Sequence, residues 1–222
     1  MIKISASILP AMDNLENFLN AIDKSRIDMI HCDVMDGKFV ENKVFTPDLV
    51  DKIREKTNKK IDMHLMVNNV DGELKKYLQK DIDFVTVHYE AFNGEKHELT
   101  KVISLLKLYG KKAGISIKPE TSVESIENIL RFVDLVLVMS VEPGKSGQSF
   151  IDSSIDKIKY LDTFRRKQKR KFMIEVDGGV NHKNVKKIKK AGADIVVMGT
   201  SLYNAYKDKT LKKSIKKIRK LK

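Results

Sequence analysis

Eight short runs of β-branched and other apolar residues recur along the chain, and this repeat constrains the fold more than any other feature. The runs begin 22 to 37 residues apart. Each has the length and composition of a buried strand. They are IKISAS from Ile2, MIHCDVM from Met29, KIDMHLMV from Lys60, FVTVHYE from Phe84, KAGISIK from Lys112, LVLVMSV from Leu135, FMIEVDGG from Phe172 and DIVVMG from Asp194.

The segments between these runs carry apolar residues at helical spacing and end in glycine or a polar cluster. Examples are LENFLNAIDKS, PDLVDKIREKT, LTKVISLLKLYG, SVESIENILRF and NVKKIKKAG. Eight regular strand-plus-helix units in 222 residues favour a closed (β/α)₈ barrel, the TIM barrel of the α/β class, over a doubly wound open sheet. No Gly/Ser/Pro-rich linker divides the chain, so we expect a single domain over residues 1–222.

Positive charge is concentrated at the carboxyl end. The net charge is +13, and residues 207–222 contribute nine basic residues and one acidic residue. Within this stretch Leu211, Ile215, Ile218 and Leu221 recur at helical spacing, which predicts a docked amphipathic helix with a lysine-rich outer face. We do not expect this tail to contact nucleic acid, because no aromatic residues are interleaved to stack on bases.

The cysteine count and the hydropathy of the chain exclude several further classes of protein. The single cysteine, Cys32, allows neither an internal disulfide nor a cysteine-based metal cluster. The chain contains no apolar run of about 18 residues, the length that a membrane-spanning helix needs, and the opening residues have no signal-peptide pattern. The sequence therefore predicts a cytoplasmic protein without a membrane segment.

Polar and ionisable residues share one parity along the predicted strands. In the second strand His31, Asp33 and Met35 alternate with small or apolar residues, and in the third Asp62, His64 and Met66 do the same. Side chains of a strand alternate between faces, so these groups point into the barrel. Glu175 and Asp177 follow the same rule in the seventh strand, as do Ser5 and Ser7 in the first.

Buried ionisable groups are costly unless they are paired or bind a metal. Two imidazoles and two carboxylates form a ligand set that suits Zn²⁺, Fe²⁺, Mn²⁺ or Co²⁺. We predict that one such divalent ion is held by four residues near the carboxyl ends of their strands, where barrel active sites lie. The alternative is a polar core that satisfies itself by hydrogen bonds. The four residues are His31, Asp33, His64 and Asp177.

Glycines follow the sixth, seventh and eighth strands. VDGGV and MGTS place backbone amides at the usual phosphate site of a barrel, and PGKSG adds two more glycines. The alternative is that these are ordinary turn glycines. Because the chain has neither G-x-G-x-x-G nor a P-loop, we expect a small phosphorylated substrate. The predicted phosphate residues are Gly144, Gly147, Gly178, Gly179, Gly199 and Thr200.

Taken together, SASILPA, HCDVMDGKFV, DMHLMV, VMSVEPGKSGQSF, EVDGGV and VMGTS resemble the motifs of the ribulose-phosphate 3-epimerase family, in the same order. The resemblance spans nearly the whole chain and implies a metal-dependent isomerase of the pentose phosphate pathway. Such an enzyme epimerises C3 of D-ribulose 5-phosphate to give D-xylulose 5-phosphate through a cis-enediolate. The family's metal ligands match the four residues chosen above from strand parity.

The resemblance also assigns individual roles. Asp33 and Asp177 correspond to the two acid/base residues, one for each face of the substrate, since inverting a carbon requires proton removal on one face and return on the other. The bound metal would polarise the substrate carbonyl. A homo-oligomer is expected from the family. The further substrate contacts are expected from Ser7, His64, Met35, Met66 and Met139.

The chain departs from the family pattern in its loops. Glu142, Lys145 and Ser146 alter the usual N-P-G-F-x-G-Q, and Lys118 replaces a usual asparagine. These changes leave substrate choice open, so a second hypothesis is an allulose-6-phosphate 3-epimerase with the same chemistry. Another enzymatic reading is a related phosphate-binding barrel that decarboxylates or performs aldol chemistry. A third, non-enzymatic hypothesis is a catalytically weakened barrel that binds partners through its basic tail.

Overall fold

The eight apolar runs form eight parallel strands in the computed structural model, which describes residues 1–221. Neighbouring strands pair in sequence order, and β1 pairs with both β2 and β8, so the sheet closes into a barrel. The predicted (β/α)₈ barrel is confirmed. The barrel strands are β1 (Lys3–Ser7), β2 (Met29–Asp36), β3 (Lys60–Met66), β4 (Phe84–His88), β5 (Lys112–Ile117), β6 (Leu135–Met139), β7 (Met173–Asp177) and β8 (Ile195–Met198).

Helices on the outside cover the barrel. Their apolar stripes pack against the outward-facing strand residues, which include Cys32, fully buried as a small apolar group. Among residues 1–221, none of the helices has both the length and the apolar composition needed to cross a membrane. The helices are α1 (Leu15–Asp23), α2 (Pro47–Arg54), α3 (Val70–Leu74), α4 (Lys96–Leu108), α5 (Ser154–Lys167), α6 (Val185–Ala191), α7 (Thr200–Lys207) and α8 (Leu211–Arg219).

One predicted helix takes a different form. The segment SVESIENILRF between β5 and β6 forms only a 3₁₀ turn over Glu124–Ile126, followed by further turns. Its buried apolar residues Val123, Ile126 and Ile129 recur every three residues, and the amides of Ile126 and Ile129 bond to the carbonyls three residues back. Three residues per turn is the 3₁₀ period, so this spacing buries the apolar side chains without an α-helix.

The lysine-rich carboxyl end contains α8, whose buried face is formed by Leu211, Ile215 and Ile218. Arg219 donates hydrogen bonds to the carbonyls of Ile2 and Arg26 and pairs with Asp28. Ile2 and Asp28 lie just before β1 and β2, so α8 packs at the amino-terminal end of the barrel. The predicted tail extends to Lys222, which lies outside the described residues.

Strand register brings the inward polar residues side by side. Between β2 and β3, His31 pairs with Asp62 and Asp33 with His64, one layer nearer the mouth. Met35 and Met66 form the next layer, and Met139 of β6 pairs with Asp177 of β7. The barrel therefore holds layers of polar groups that approach its carboxyl-terminal mouth, with methionines above them.

Candidate active site

A cavity of about 270 Å³ opens at the carboxyl ends of the strands. Asp33 and Asp177 lie at its floor, and the loops after β6, β7 and β8 form its walls. Of the predicted site residues, only His31 and His64 do not line this cavity, because both rings are fully buried beneath it. The lining includes the predicted Ser7, Met35, Met66, Met139, Gly144, Gly147, Gly178, Gly179, Gly199 and Thr200.

The four predicted metal ligands form one cluster. Ligand atoms of His31, Asp33, His64 and Asp177 all lie within 4.8 Å of one another. Oδ1 of Asp33 lies 3.2 Å from Nε2 of His31 and 3.3 Å from Nδ1 of His64, while Oδ2 of Asp177 lies 3.9 Å from Nε2 of His31. Four donors of this kind, converging from three strands, could hold a divalent metal ion.

A test of the fit is the hydrogen bonding of His31. Its Nε2 is buried and has no hydrogen-bond partner with acceptable geometry among residues 1–221. A buried polar atom without a partner is costly, and a ligated metal would satisfy it. Nδ1 of the same ring lies 2.7 Å from Oδ2 of Asp62, which directs Nε2 towards Asp33 and Asp177. The residues present therefore fit a metal site.

The electrostatics of the cluster also favour a cation. Burial acts to lower the pKa of His31, but Asp33 and Asp62 outweigh it and hold that pKa well above its ordinary value. Burial opposes ionisation of Asp33, yet His31 and His64 hold its pKa well below the usual range. Burial raises the pKa of Asp177 to about 6. Concentrated carboxylates thus draw positive charge to this point of the barrel.

Two more carboxyl groups lie in the layer below. Asp62 accepts a hydrogen bond from the hydroxyl of Ser5 (2.8 Å) and faces His31, as expected of a residue that orients a metal-binding histidine. Glu175 is fully buried, and neither of its oxygens has a hydrogen-bond partner within the described chain. Burial and the Asp62 carboxylate raise the pKa of Glu175 well above its ordinary value.

His64 contacts a second histidine on its other side. Its Nε2 lies 2.8 Å from Nε2 of His88, and Nδ1 of His88 lies 3.0 Å from Oε2 of Glu90. Burial lowers the pKa of His88 to about 4, so the ring is neutral near pH 7. Neither the alternation of faces along the strands nor the spacing of residues in the sequence could show that His88 touches His64.

The glycines after β7 are required by the packing of the loops. A Cβ on Gly178 would lie 2.5 Å from Val141 Cγ2, and one on Gly179 would overlap the Phe150 amide and approach the Gln148 carbonyl to 2.9 Å. Both glycines also have positive φ. Part of their role is therefore the close approach of the β6 loop, as expected of turn glycines, while their backbone still lines the cavity.

A helix begins beside the cavity, directly after β8. Gly199 precedes α7, whose first residue, Thr200, lines the cavity together with Ser201. The free amides of a first helical turn, with the helix dipole, favour an anion at this position. The sequence had indicated Gly199 and Thr200 but missed Ser201 and Asn181, which also line the wall.

Two loops meet over the cavity. The side chain of Asn42 donates to the carbonyl of Gly144 (2.6 Å), and Nζ of Lys145 lies 2.9 Å from a carboxylate oxygen of Glu41. Nearby, the Lys118 ammonium lies 4.1 Å from the centre of the Phe39 ring. The residues that depart from the family pattern thus lie at the rim and leave the four clustered side chains untouched.

Comparison with known proteins agrees with this geometry. A protein named ribulose-phosphate 3-epimerase from Bacillus subtilis is 38% identical over 221 residues, covering 99% of both chains. One of the same name from Aquifex aeolicus is 36% identical over 187 residues, covering 84% of this chain and 82% of that protein. The chloroplastic ribulose-5-phosphate-3-epimerase of Arabidopsis thaliana is 38% identical, covering 91% of this chain and 72% of its own.

Solved structures support the fold alone. N-(5'-phosphoribosyl)anthranilate isomerase from Pyrococcus furiosus superimposes with a TM-score of 0.66 at 15% identity, covering 99% of each chain. The alpha subunit of tryptophan synthase from Campylobacter jejuni gives a TM-score of 0.66 at 17% identity, covering 98% of this chain and 95% of that one.

The barrel and the cluster at its mouth define a (β/α)₈ enzyme whose site lies at the carboxyl ends of the strands. The family profile of ribulose-phosphate 3-epimerases matches residues 3–203. The chain therefore belongs to the ribulose-phosphate 3-epimerase family, and the resemblance seen in its motifs is confirmed.

Proposed function

We propose that this protein interconverts D-ribulose 5-phosphate and D-xylulose 5-phosphate by inverting C3, as a step of the pentose phosphate pathway. The observation that carries the proposal is the pair of carboxylates, Asp33 and Asp177, which reach the same cavity from β2 and β7. Two carboxyl groups from different strands can address the two faces of one substrate carbon. The names of the relatives support the same reaction.

The proton transfers follow from this placement. One aspartate takes the proton from C3, and the electron pair forms a planar cis-enediolate. The other aspartate then delivers a proton to the opposite face of C3, which inverts the carbon. In the reverse direction the two exchange roles. Ser7 Oγ lies 3.1 Å from Oδ2 of Asp33, where it could orient this carboxylate and donate to a substrate oxygen.

A divalent cation would be held by His31, Asp33, His64 and Asp177. When bound, it supplies positive charge beside the substrate oxygen on which negative charge develops. Zn²⁺, Fe²⁺, Mn²⁺ and Co²⁺ all accept two imidazoles and two carboxylates. The buried ring of His64 would contribute its ligand nitrogen from below the cavity.

The remaining cavity residues serve binding. The backbone of Gly144, Gly147, Gly178 and Gly179 and the start of α7 at Gly199 and Thr200 would hold the phosphate, at a fixed distance from the aspartates. Met35, Met66 and Met139 would cover the enediolate with apolar surface, because their side chains form the layer above the cluster. Excluding water there limits loss of phosphate from the intermediate.

Proton NMR of D-ribulose 5-phosphate in D₂O tests the proposal directly. With purified, metal-supplemented protein, we expect deuterium at C3 of both ketoses as xylulose 5-phosphate forms. The same protein carrying Asp177→Asn is the matched control and should form no xylulose 5-phosphate, because the proton can no longer be returned to the opposite face. Absence of exchange with folded wild-type protein contradicts the proposed substrate.

The same experiment with allulose 6-phosphate examines the second hypothesis. The charged rim residues Glu41 and Lys145 are the observation that favours a longer substrate. Exchange with the hexulose phosphate alone would select that reaction, and exchange with neither would favour the weakened binding barrel. We further propose that residues 1–222 form one domain that acts in the cytoplasm as a homo-oligomer, and gel filtration with light scattering measures the oligomeric state.

A further inference from the structure

A row of three side chains begins at the cluster and consists of the buried rings of His64 and His88 and the partly exposed carboxylate of Glu90. Nε2 of His64 faces Nε2 of His88 at 2.8 Å, and Nδ1 of His88 faces Oε2 of Glu90 at 3.0 Å. Both rings are fully buried, and neither His88 nor Glu90 lines the cavity. The chain of contacts therefore serves His64 rather than the substrate.

The direction of these hydrogen bonds is determined by Glu90. An ionised carboxylate only accepts, so Nδ1 of His88 must carry the hydrogen. In a neutral ring Nε2 of His88 is then an acceptor, and the facing Nε2 of His64 must donate. An imidazole that ligates a metal ion must be neutral. With its hydrogen on Nε2, such a His64 ring has its free electron pair on Nδ1, the atom that faces Oδ1 of Asp33 at 3.3 Å.

Glu90 is itself held in one orientation. Its Oε1 accepts the backbone N–H of Lys118 at 2.7 Å and the hydroxyl of Thr121. Oε2 is therefore the oxygen that remains for His88. The Phe39 ring lies against His88 with ring centres 4.7 Å apart, which restricts rotation of the imidazole.

With this tautomer, two acceptor atoms face each other at the cluster: Nδ1 of His64 and Oδ1 of Asp33. A cation between these two electron pairs, either a proton or a metal ion, stabilises both. The opposite tautomer would place a hydrogen on Nδ1, satisfy Asp33 directly and block ligation by His64. The position of one proton on His64 thus decides whether the cluster can bind a metal.

We propose that Glu90 is a positioning residue that, through His88, holds His64 in the tautomer with a free Nδ1 and so raises the affinity of the cluster for a divalent cation. This inference rests on the cation site of the proposed function. Asp62 performs the corresponding task for His31 by direct contact, whereas Glu90 needs His88 as an intermediary.

Glu90→Gln is the variant that reverses the relay. The Lys118 N–H requires an oxygen opposite it, so the amide oxygen replaces Oε1 and the NH₂ group faces His88. Nδ1 of His88 then accepts, its Nε2 donates to Nε2 of His64, and the hydrogen of His64 moves to Nδ1. The matched control is Glu127→Gln, which changes another hydrogen-bonded glutamate, 2.5 Å from the hydroxyl of Tyr160 on the surface.

Histidine tautomers can be read from long-range ¹H–¹⁵N correlation spectra of chelator-treated, ¹⁵N-labelled protein. His31, His64, His88, His97 and His182 are assigned by single substitutions. We expect hydrogen on Nε2 of His64 in the wild type and in Glu127→Gln, and on Nδ1 in Glu90→Gln. Hydrogen on Nδ1 but not on Nε2 of His64 in the wild type, or an unchanged hydrogen position in Glu90→Gln, overturns the relay.

Affinity for Zn²⁺ is the second measurement, by competition with a chromophoric chelator. We expect Glu90→Gln to bind about 10- to 100-fold more weakly than the wild type, as for other residues that orient metal ligands. Glu127→Gln should match the wild type. Wild-type protein that fails to bind Zn²⁺ would contradict the cation site, whereas equal affinity of Glu90→Gln and wild type would contradict the relay.

Discussion

Nδ1 of His31 lies 2.7 Å from Oδ2 of Asp62, one layer below the cavity floor. The pair arises from register, because His31 and Asp62 are direct partners across β2 and β3. The contact turns the other ring nitrogen towards Asp33 and Asp177. A hydrogen bond inside the barrel thereby orients the His31 ring for metal binding at the mouth of the barrel.

Replacing Asp62 tests this arrangement. We expect Asp62→Ala to weaken Zn²⁺ binding about 10- to 100-fold, because His31 loses the acceptor that orients it. Asp62→Asn retains an oxygen opposite Nδ1 and should lose less. Chelator competition measures both, with circular dichroism to confirm folding. Equal affinity in Asp62→Ala and wild type would contradict an orienting role.

Asp33→Asn and Asp177→Asn should each lower turnover by at least about 100-fold, since an amide cannot take up or return the C3 proton. A coupled assay of xylulose 5-phosphate formation measures the rate. The control is Asp71→Asn, which removes an exposed charge paired with Lys75 on α3. Turnover near the wild-type rate in either active-site variant would rule out the two-carboxylate mechanism.

Gly179→Ala should destabilise the protein through steric overlap. The new Cβ would collide with the backbone of Phe150 and Gln148, at a residue with φ of +62°. The control is Gly94→Ala, which has φ of +86° but no atom of the described chain within 4 Å of the new Cβ. Both variants bear the cost of positive φ, roughly 1 kcal/mol. Urea unfolding should show a larger loss for Gly179→Ala, and equal losses would refute the steric argument.

Asp36 connects two loops near the cavity through hydrogen bonds. Its ionisation should make the stability of the fold depend on pH. It accepts the N–H groups of Lys38 and Phe39 at one oxygen and that of Asn68 at the other, each at 2.8 Å. Burial opposes its ionisation, but these bonds lower the pKa of Asp36 below its ordinary 3.8. The ionised form of Asp36 therefore stabilises the fold at pH values above the ordinary pKa of 3.8. This stabilisation is lost as the pH falls through the lower pKa of the folded state.

Asp36→Asn should reduce the free energy of unfolding by about 1–3 kcal/mol at pH 7, because an NH₂ group would face the Asn68 amide. The difference between variant and wild type should shrink at pH 3, where the carboxyl of the unfolded wild type is largely protonated. Urea unfolding at both pH values measures it. A difference that is equal at pH 7 and pH 3 would disprove the linkage.

Ile215→Ala tests whether the basic carboxyl end is part of the fold. Ile215 is buried in α8, so we expect a loss of about 2–5 kcal/mol in the free energy of unfolding. Lys213→Ala, on the exposed face, should change it by less than about 0.5 kcal/mol. Turnover of the folded fraction should be unaffected, since α8 packs at the end of the barrel opposite to the cavity. A neutral Ile215→Ala would argue for a tail that does not dock.

The local pattern of polar and apolar residues was sufficient to predict much of the site. A strand alternates its faces, so parity alone placed His31, Asp33 and His64 inside the barrel. The known polarity of barrels then put Asp177 at the same mouth. Local pattern was insufficient for residues 122–132, where a spacing of three suits a 3₁₀ turn and an imperfect α-helix equally well.

The eight-unit barrel, its buried faces and the four clustered side chains could be predicted from the chain alone, because the alternation of residues within a strand and the order of strands along the chain are visible in the sequence. The contacts of His64 with His88, of Gly179 with Phe150 and of Arg219 with the start of β1 became evident only in the folded molecule. These contacts join residues 24 to 217 positions apart. They depend on strand register and loop packing, which a pattern of residue types does not specify.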